Sequence, residues 1–268
     1  MLVEETQVTR RPEAKLREWR DVAPEVATRK VLRPPFKAVC DGAPVMLAVD
    51  SGLPADLLFN TFDRIDYASS DRSGGMVTRS RTFGFNPRNA VRRDYCSVSA
   101  LHREAPKVWG LLQESAKQVA EVYKHLLPDQ FAHHEKAVAT TQNTWRIPHT
   151  PFTSGIINQS ATLPYHRDRG NHEGVWSAMV VVRKQTEGGE LVLPELDIAV
   201  DLPNGTLVLF DGQKWLHGVA PIVKTQLSGR RYSCVFYSLK QLWHCLTPEE
   251  ELRRFRSEKT RKERGRVT

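Results

Sequence analysis

The stretch that decides the fold runs from residue 165 to residue 237, where polar landmarks stand between short apolar runs. It opens with Tyr-His-Arg-Asp-Arg-Gly-Asn at 165–171 and continues with Gly-Gly-Glu-Leu-Val-Leu-Pro at 188–194. Leu-His-Gly follows at 216–218, and the stretch closes with Arg-Arg-Tyr-Ser-Cys-Val-Phe-Tyr at 230–237. Short β-branched runs separated by Gly, Pro and Asn predict an antiparallel β core over about 140–240 rather than a doubly wound parallel sheet.

Upstream of this core, the sequence predicts strands and supporting helices. Apolar runs at 38–39 and 45–49 are typical of strands, and a helix that begins near Pro54 carries apolar residues at helical spacing. A longer helix is predicted over 105–127 and ends at Pro128. At the start of the β core itself, 144–147 and 153–158 are expected to be strands. The fold class is therefore mainly β with flanking helices (α+β). Three histidines near the end of the long helix are expected at the surface: His125, His133 and His134.

The chain divides into an N-terminal arm packed outside the core at 1–35, a main domain at 36–245 and a basic tail at 246–268. The net charge is +8, and residues 251–268 hold eight Lys or Arg against three Glu, which is +5 of that total. This charge favours a polyanionic partner, and nucleic acid is the foremost candidate. The tail is either a phosphate-binding arm or a solvated end, and both interpretations stay open.

A segment at 66–95 is rich in Ser, Gly, Asn and Arg and is expected to be a long basic loop. Its arginines, Arg81 among them, are interleaved with Phe83, Phe85 and Tyr95. This mixture suits a nucleic-acid groove, because guanidinium groups bind phosphates while aromatic faces stack on bases. A solvated loop without a binding role is the alternative.

The cysteines and the apolar runs indicate the compartment. Cys40, Cys96, Cys234 and Cys245 stand far apart, so neither a disulfide framework nor a zinc knuckle is expected. The first residues lack the apolar run of a signal peptide, and no apolar stretch is long enough to span a bilayer. We therefore expect an intracellular, cytoplasmic protein without a membrane partner; the sequence leaves the oligomeric state open.

Three side chains in the deciding stretch have the chemistry of metal ligands. His166 and Asp168 are two residues apart, so on an extended segment they point to the same side and can share one ion. His217 follows 51 residues after His166, beyond a further apolar run. Two histidines and one carboxylate form the set that holds non-haem Fe(II) with open positions. Zinc accepts similar ligands, so the residue types alone leave the metal open.

Arg231 is the candidate anion-binding residue. It stands 14 residues after His217 at the start of an apolar strand, where a buried cation needs an anionic partner. A guanidinium holds a carboxylate in bidentate fashion, and Ser233 faces the same side of the strand. A dicarboxylate bound by iron at one end and by arginine at the other fits this layout, which suggests 2-oxoglutarate. A structural ion pair or exposure to solvent is the alternative.

Residues from about 150 to 237 resemble the double-stranded β-helix (jelly-roll or cupin-like) core of Fe(II)/2-oxoglutarate dioxygenases. Within that superfamily they look most like the TET/JBP branch, which oxidises the methyl group of 5-methylpyrimidines in DNA. Three motifs carry the resemblance: His166-Arg167-Asp168-x-x-Asn171, Gly188-Gly189-Glu190-Leu191-x-Leu193-Pro194 leading to His217-Gly218-x-x-Pro221, and Arg231-x-Ser233-x-Val235-Phe236-Tyr237.

The resemblance implies a role for each matched residue. Fe(II) would sit on His166, Asp168 and His217. The co-substrate 2-oxoglutarate would be held by Arg231, Ser233 and Asn158, with O2 as the oxidant. Asn171 would contact the target pyrimidine or order the site, Tyr237 would stack on the flipped base, and Arg81 would face DNA. The implied reaction on DNA is conversion of 5-methylcytosine to 5-hydroxymethylcytosine or beyond.

One departure leaves the base identity open. Animal members of the branch have a base-contacting His two residues beyond the closing Tyr, and Leu239 occupies that place here. Thymine hydroxylation of the JBP type therefore stays open beside 5-methylcytosine. A protein or small-molecule hydroxylase and a non-enzymatic cupin-like binding module are the remaining alternatives. The compact core looks more like phage and microbial members, and a phage-encoded protein would act in the host cytoplasm.

Overall fold

The structure, a computed structural model, describes residues 3–11, 24–27, 29–72, 76–89 and 94–264. The chain divides into two compact units. The first unit comprises Met1–Arg81, Ile156–Arg169 and Trp176–Phe236, and the second comprises Thr82–Gly155, Gly170–Val175 and Tyr237–Thr268. Each unit is described by itself below.

Seventeen strands and five α-helices form within the described ranges. The strands are β1 Glu4–Gln7, β2 Lys30–Leu32, β3 Phe36–Cys40, β4 Ala43–Asp50, β5 Ala68–Arg72, β6 Met76–Asn86, β7 Ser97–Val98, β8 Ser154–Gln159, β9 Leu163–His166, β10 Ser177–Lys184, β11 Thr186–Gly188, β12 Leu191–Leu193, β13 Ile198–Val200, β14 Thr206–Phe210, β15 His217–Val219, β16 Ile222–Lys224 and β17 Arg230–Tyr237. The α-helices are α1 Ala55–Phe62, α2 Ala100–Glu104, α3 Pro106–Leu126, α4 Pro128–Val138 and α5 Pro248–Arg264.

Two sheets form the core of the first unit. The larger runs β1-β3-β4-β14-β10-β17-β8-β6-β5, and the smaller runs β2-β13-β12-β15-β9. Strands β12, β13, β15 and β9 pair antiparallel, as do β4, β14, β10 and β17. One buried apolar cluster contains side chains from both sheets, among them Phe36, Met179, Leu193 and Val208. The core therefore lies between two sheets, as the alternating short apolar runs predict.

The N-terminal segment takes part in both sheets. Strand β1 pairs parallel with β3, and β2 pairs parallel with β13. Val8 and Leu32 join the buried cluster between the sheets. The expectation that this arm packs outside the core is therefore wrong for its described residues; residues 1–2, 12–23 and 28 lie outside them.

The second unit is mainly helical and differs in two places from what the sequence predicts. The long helix is confirmed as α3, but residues 143–145 form a 3-10 helix where a strand was expected. His125 and His133 are exposed as predicted, whereas His134 is fully buried between Tyr123 and Phe152. Its Nε2 lies 2.7 Å from the hydroxyl of Ser238, so the surface prediction is wrong for this residue. Among the described helices, none combines the length and apolar character needed to cross a membrane.

The segment at 66–95 is mostly strand, because β5 and β6 form a hairpin. Phe83 and Phe85 are buried, and Phe85 packs edge-on against Trp109 and Trp145. Tyr95 contacts Phe255 of α5. Both phenylalanines are thus core residues, and the prediction that they line a nucleic-acid groove is wrong. Residues 73–75 and 90–93 of this segment lie outside the described ranges.

The C-terminal region is anchored in the second unit. Cys96 and Cys245 form a disulfide across 149 residues, whereas the sequence predicted no disulfide framework. Glu251, in the first turn of α5, is buried and accepts hydrogen bonds from Arg88 and from the N–H groups of Cys96 and Leu246. Residues 248–264 of the tail form α5, which these contacts fasten at its first turn, and residues 265–268 lie outside the described ranges.

Candidate active site

The three predicted metal ligands come together in the first unit, at the ends of β9 and β15. His166 ends β9 and pairs with His217, the first residue of β15. Asp168 follows β9, and its N–H donates to the carbonyl of Gly212 at 2.9 Å. Its Oδ1 lies 3.8 Å from Nε2 of His166 and 3.9 Å from Nε2 of His217. Since metal–ligand bonds are about 2.1 Å long, one ion among these atoms fits the spacing.

Both imidazoles have their tautomer set by the backbone. Nδ1 of His166 lies 2.8 Å from the carbonyl of Pro164, and Nδ1 of His217 lies 2.9 Å from the carbonyl of Trp215. A carbonyl only accepts, so each Nδ1 carries the proton and each Nε2 keeps its lone pair. Burial lowers the pKa of His217, although the nearby Asp168 carboxylate opposes that shift. His217 is therefore neutral near pH 7, the form that binds a metal.

Gly212 leaves the space that the Asp168 carboxylate occupies. A Cβ at this position would lie 2.3 Å from Oδ2 of Asp168 and 3.3 Å from Cε1 of His217. The preceding Asp211 is buried, and its Oδ1 accepts from the N–H groups of Gln213 and Lys214. Sequence reasoning missed both residues. The Asp-Gly pair directly after β14 is a turn signal that could have drawn attention to them.

Arg231 is fully buried and lacks a partner for part of its guanidinium. Among the described residues, neither Nε nor Nη2 of Arg231 has a hydrogen-bond partner. Burial lowers the pKa of Arg231 to about 9, and the nearby charge of Arg183 contributes. A buried cation with open donors is costly unless an anion completes it. The arrangement therefore fits a carboxylate ligand, as the sequence predicts.

Glycine at position 189 makes room for this arginine. Gly189 has a φ of +75°, and a Cβ there would lie 3.1 Å from Nε of Arg231. Its N–H donates to the carbonyl of Pro221 at 3.0 Å, which fixes the turn. Gly189 therefore has a second role beside the turn, because a side chain at this position would crowd the guanidinium of Arg231.

The two other residues assigned to the co-substrate lie together in the first unit. Ser233 follows Arg231 by two residues on β17, and both are buried. Nδ2 of Asn158 donates to Oγ of Ser233 at 3.3 Å. The side chains present therefore fit both groups that the sequence implies. Two imidazole nitrogens and a carboxylate suit Fe(II), and a buried guanidinium suits the carboxylate of 2-oxoglutarate.

The residues predicted to contact the substrate are distributed differently. Arg81 is half-buried on β6 in the first unit, while Asn171 and Tyr237 belong to the second. Asn171 is buried and forms an antiparallel bridge with Leu239. Tyr237 is half-buried at the end of β17, and its carbonyl accepts from the N–H of Thr153 at 3.0 Å. The substrate roles of Arg81, Asn171 and Tyr237 stay predictions.

Comparison with protein families identifies the chain. Residues 82–240 match Tet_JBP, the oxygenase domain of the 2OGFeDO superfamily. The match covers 159 of 268 residues, which is more than half of the chain. The chain belongs to the Tet_JBP family. This superfamily uses Fe(II), 2-oxoglutarate and O2, so the predicted family and cofactors are confirmed.

Curated relatives of this Tet_JBP chain are considerably longer. Thymine dioxygenase JBP1 of Trypanosoma brucei brucei is 24% identical over 191 residues, which is 70% of this chain and 22% of the relative. Bifunctional helicase and thymine dioxygenase JBP2 of Leishmania major is 27% identical over 132 residues, 48% of this chain and 12% of the relative. The chain thus spans 22% or less of the length of these two relatives.

A solved structure shares the fold of this Tet_JBP chain. NgTET1 in complex with 5mC DNA superposes with a TM-score of 0.61 at 13% sequence identity. The superposition covers 86% of this chain and 91% of the other. Together with the two-sheet core described above, this confirms the predicted mainly β fold with a double-stranded β-helix, or jelly-roll, core.

Proposed function

We propose that this protein is an Fe(II)/2-oxoglutarate-dependent dioxygenase that hydroxylates the 5-methyl group of 5-methylcytosine in DNA to give 5-hydroxymethylcytosine. The observation that carries the proposal is the combination of the His166–Asp168–His217 cluster with Arg231, whose buried Nε and Nη2 are open donors among the described residues. A metal-binding module without catalysis would not need the buried, incompletely paired guanidinium of Arg231.

Each candidate site residue in the first unit has a defined role in this proposal. Fe(II) with 2-oxoglutarate supplies the oxidation of a methyl C–H bond by O2. The cluster would hold the ion through Nε2 of each histidine and an oxygen of Asp168, and three ligands leave positions open for the co-substrates. Arg231 would bind the far carboxylate of 2-oxoglutarate and thereby orient it. The hydroxyl of Ser233, held by Asn158 at 3.3 Å, offers a further polar contact.

The substrate must be presented as a single base. A methyl group inside a duplex cannot reach a partly buried metal site, so the base has to be extruded, at a cost of a few kcal/mol. Tyr237 would offset part of this cost by stacking on the extruded base. The amide of Asn171 both donates and accepts, so it suits the Watson–Crick edge of a pyrimidine. Phosphate contacts from Arg81 and the basic C-terminal region would add sequence-independent affinity.

Hydroxylation of thymine in DNA is the second candidate. The curated relatives reported above are named thymine dioxygenases. Leu239, paired with Asn171 in the antiparallel bridge, is apolar and makes no hydrogen bond to a base edge. An apolar side chain cannot distinguish the N4 amino group of cytosine, a donor, from the O4 carbonyl of thymine, an acceptor.

Mass spectrometry of nucleosides tests both candidates. Two duplexes, one containing 5-methylcytosine and one containing only thymine as methylated base, are incubated with the protein, Fe(II), ascorbate and 2-oxoglutarate. We expect 5-hydroxymethylcytosine from the first duplex, and no product from the Asp168→Ala variant. Hydroxymethyluracil alone would establish the thymine candidate. Succinate release without either product would refute methylpyrimidine oxidation.

A further inference from the structure

Glu195 is a buried carboxylate that lies outside the metal-ligand cluster. It stands in the 3-10 turn Pro194–Leu196 after β12, in the first unit, and it is 1% exposed. A buried carboxylate costs several kcal/mol unless hydrogen bonds or charges compensate it. Its partners therefore indicate what the fold uses it for.

Both oxygens of Glu195 bind the segments that carry the metal ligands. Oε1 accepts from Nη2 of Arg167 at 2.8 Å. Oε2 accepts from the backbone N–H of Leu216. Arg167 stands between His166 and Asp168, and Leu216 directly precedes His217. One carboxylate thus connects the end of β9 to the start of β15.

The backbone of Glu195 is itself held in place. Its carbonyl accepts from the N–H of Arg11 at 2.8 Å. Asp197, two residues on, has a φ of +56° and binds the guanidinium groups of Arg11 and Arg29. The turn is therefore fastened to the N-terminal segment, so the carboxylate is a fixed point rather than a mobile side chain.

The strand pairing alone leaves the ligand spacing weakly determined. Strands β9 and β15 share only two Cα pairs, His217 with His166 and Val219 with Leu163, and the register shifts between them. An irregular ladder of this kind holds strand ends less firmly than a continuous one. The Glu195 carboxylate supplies the missing connection at the end where the ligands lie.

We propose that Glu195 is a positioning residue that sets the distance between the two halves of the metal site and thereby its affinity for a divalent ion; this rests on the proposed iron site. Residues outside the ligand set that orient metal ligands typically change metal affinity by about 10- to 100-fold when they are replaced. Glu195 acts through the chain on both sides and touches neither the ion nor the substrate.

The Glu195→Gln variant tests this without a change of shape. Its amide keeps one acceptor oxygen but places an NH2 group against Arg167 or the N–H of Leu216, so one of the two connections is lost. Co(II) binding to the apo protein is followed by calorimetry and by the Co(II) absorption spectrum. We expect the dissociation constant to rise by about 10- to 100-fold with an unchanged circular dichroism spectrum. The control is Glu187→Gln, an exposed carboxylate of β11, which should bind Co(II) like the wild type.

Arg167→Met gives an independent test, because it removes the Oε1 contact of Glu195 through a half-exposed side chain. It also removes a positive charge near His217, which by itself would favour cation binding, so weaker binding would report the lost contact. We expect it to weaken Co(II) binding in the same direction as Glu195→Gln. If both variants fold and bind Co(II) within about twofold of the wild type, Glu195 serves stability alone and the proposal is overturned. If the wild type and Asp168→Ala bind Co(II) equally weakly, the proposed iron site itself fails, and the positioning role with it.

Discussion

Replacement of Arg231 by methionine should stabilise the ligand-free protein while abolishing the binding of 2-oxoglutarate. Arg231 is 1% exposed, and Nε and Nη2 lack partners among the described residues, so its charge is poorly compensated. Methionine keeps an unbranched apolar stem and has no charge to desolvate. Loss of function and gain of stability are therefore expected from one substitution.

The pKa of Arg231 sets the ceiling of the stability gain. Burial, with the nearby charge of Arg183, lowers this pKa from 12.5 to about 9, which corresponds to a few kcal/mol. Because a pKa of 9 is above neutral, Arg231 is charged at pH 7 in both folded and unfolded protein and bears this cost fully. Buried ions replaced by apolar residues usually yield about 1–4 kcal/mol, so we expect a gain in that range.

The assay compares unfolding with and without ligand. Urea unfolding of the metal-free protein should show the higher midpoint for Arg231→Met at an unchanged slope. In the presence of Mn(II), 2-oxoglutarate at 100 times its dissociation constant should raise the free energy of unfolding of the wild type by about 2.7 kcal/mol beyond the effect of Mn(II) alone. For the variant, 2-oxoglutarate should add nothing to the effect of Mn(II). A metal-free variant less stable than the wild type, or one still stabilised by 2-oxoglutarate, would refute the assignment.

Arg183 provides the matched control. It lies opposite Arg231 in the ladder between β10 and β17, but its guanidinium donates to the carbonyl of Gly188 at 2.9 Å and to Oγ1 of Thr186 at 3.1 Å. Arg183→Met leaves these acceptors without their donor, which should cost about 1–3 kcal/mol. It also removes the charge that repels Arg231, so a net loss of stability is attributable to the lost hydrogen bonds. Opposite signs for the two substitutions would show that the stability change reflects the missing partner of Arg231 rather than arginine removal in general.

Three further outcomes are expected. Gly212→Ala places a Cβ 2.3 Å from the Asp168 carboxylate, so Co(II) affinity should fall at least about tenfold; unchanged binding would show that the carboxylate is free to move. Burial, with His133 and His172 nearby, lowers the pKa of His134 to about 3. The unfolded chain therefore takes up a proton below about pH 6.5 that the folded one does not, and stability should fall by about 2 kcal/mol between pH 7 and pH 5. In urea unfolding, His134→Gln should reduce this loss, and an equal loss in the variant would contradict the assignment. Removal of residues 259–268 takes away five Lys or Arg and one Glu, so the salt dependence of DNA binding should become shallower by up to about 0.9 per lost phosphate contact; an equal slope would exclude the tail from the interface.

The proximity of His166, Asp168 and His217 and the burial of Arg231 were predictable because residue type and spacing carry the information. His166 and Asp168 are two residues apart on an extended segment, so their side chains point to the same side. Arg231 stands at the start of an apolar strand, so its burial is expected from the neighbouring residues. Burial of Phe83 and Phe85 was missed because the segment around them is polar in composition. They occupy alternate positions of a strand whose inner face is buried, a pattern too short to outweigh its surroundings.

Residues whose role depends on distant partners had no local signal. The two partners of Glu195 are 28 and 21 residues away along the chain, and Cys96 is 149 residues from Cys245. His134 lies on a helix beside the exposed His133, and its burial depends on Tyr123 and Phe152, while its Nε2 is paired by Ser238, 104 residues later. Contacts of this kind follow from the completed fold, so a single sequence does not reveal them.

The disulfide between Cys96 and Cys245 closes a covalent ring that contains most of the candidate active site. All residues from 97 to 244 lie inside that ring, including the metal cluster, Arg231, Asn171 and Tyr237, while α5 leaves it as a branch. A single peptide-bond cleavage anywhere within the ring leaves its two parts attached. On a denaturing gel, limited proteolysis would therefore leave one covalently joined product without a reductant and reveal the cut only after reduction.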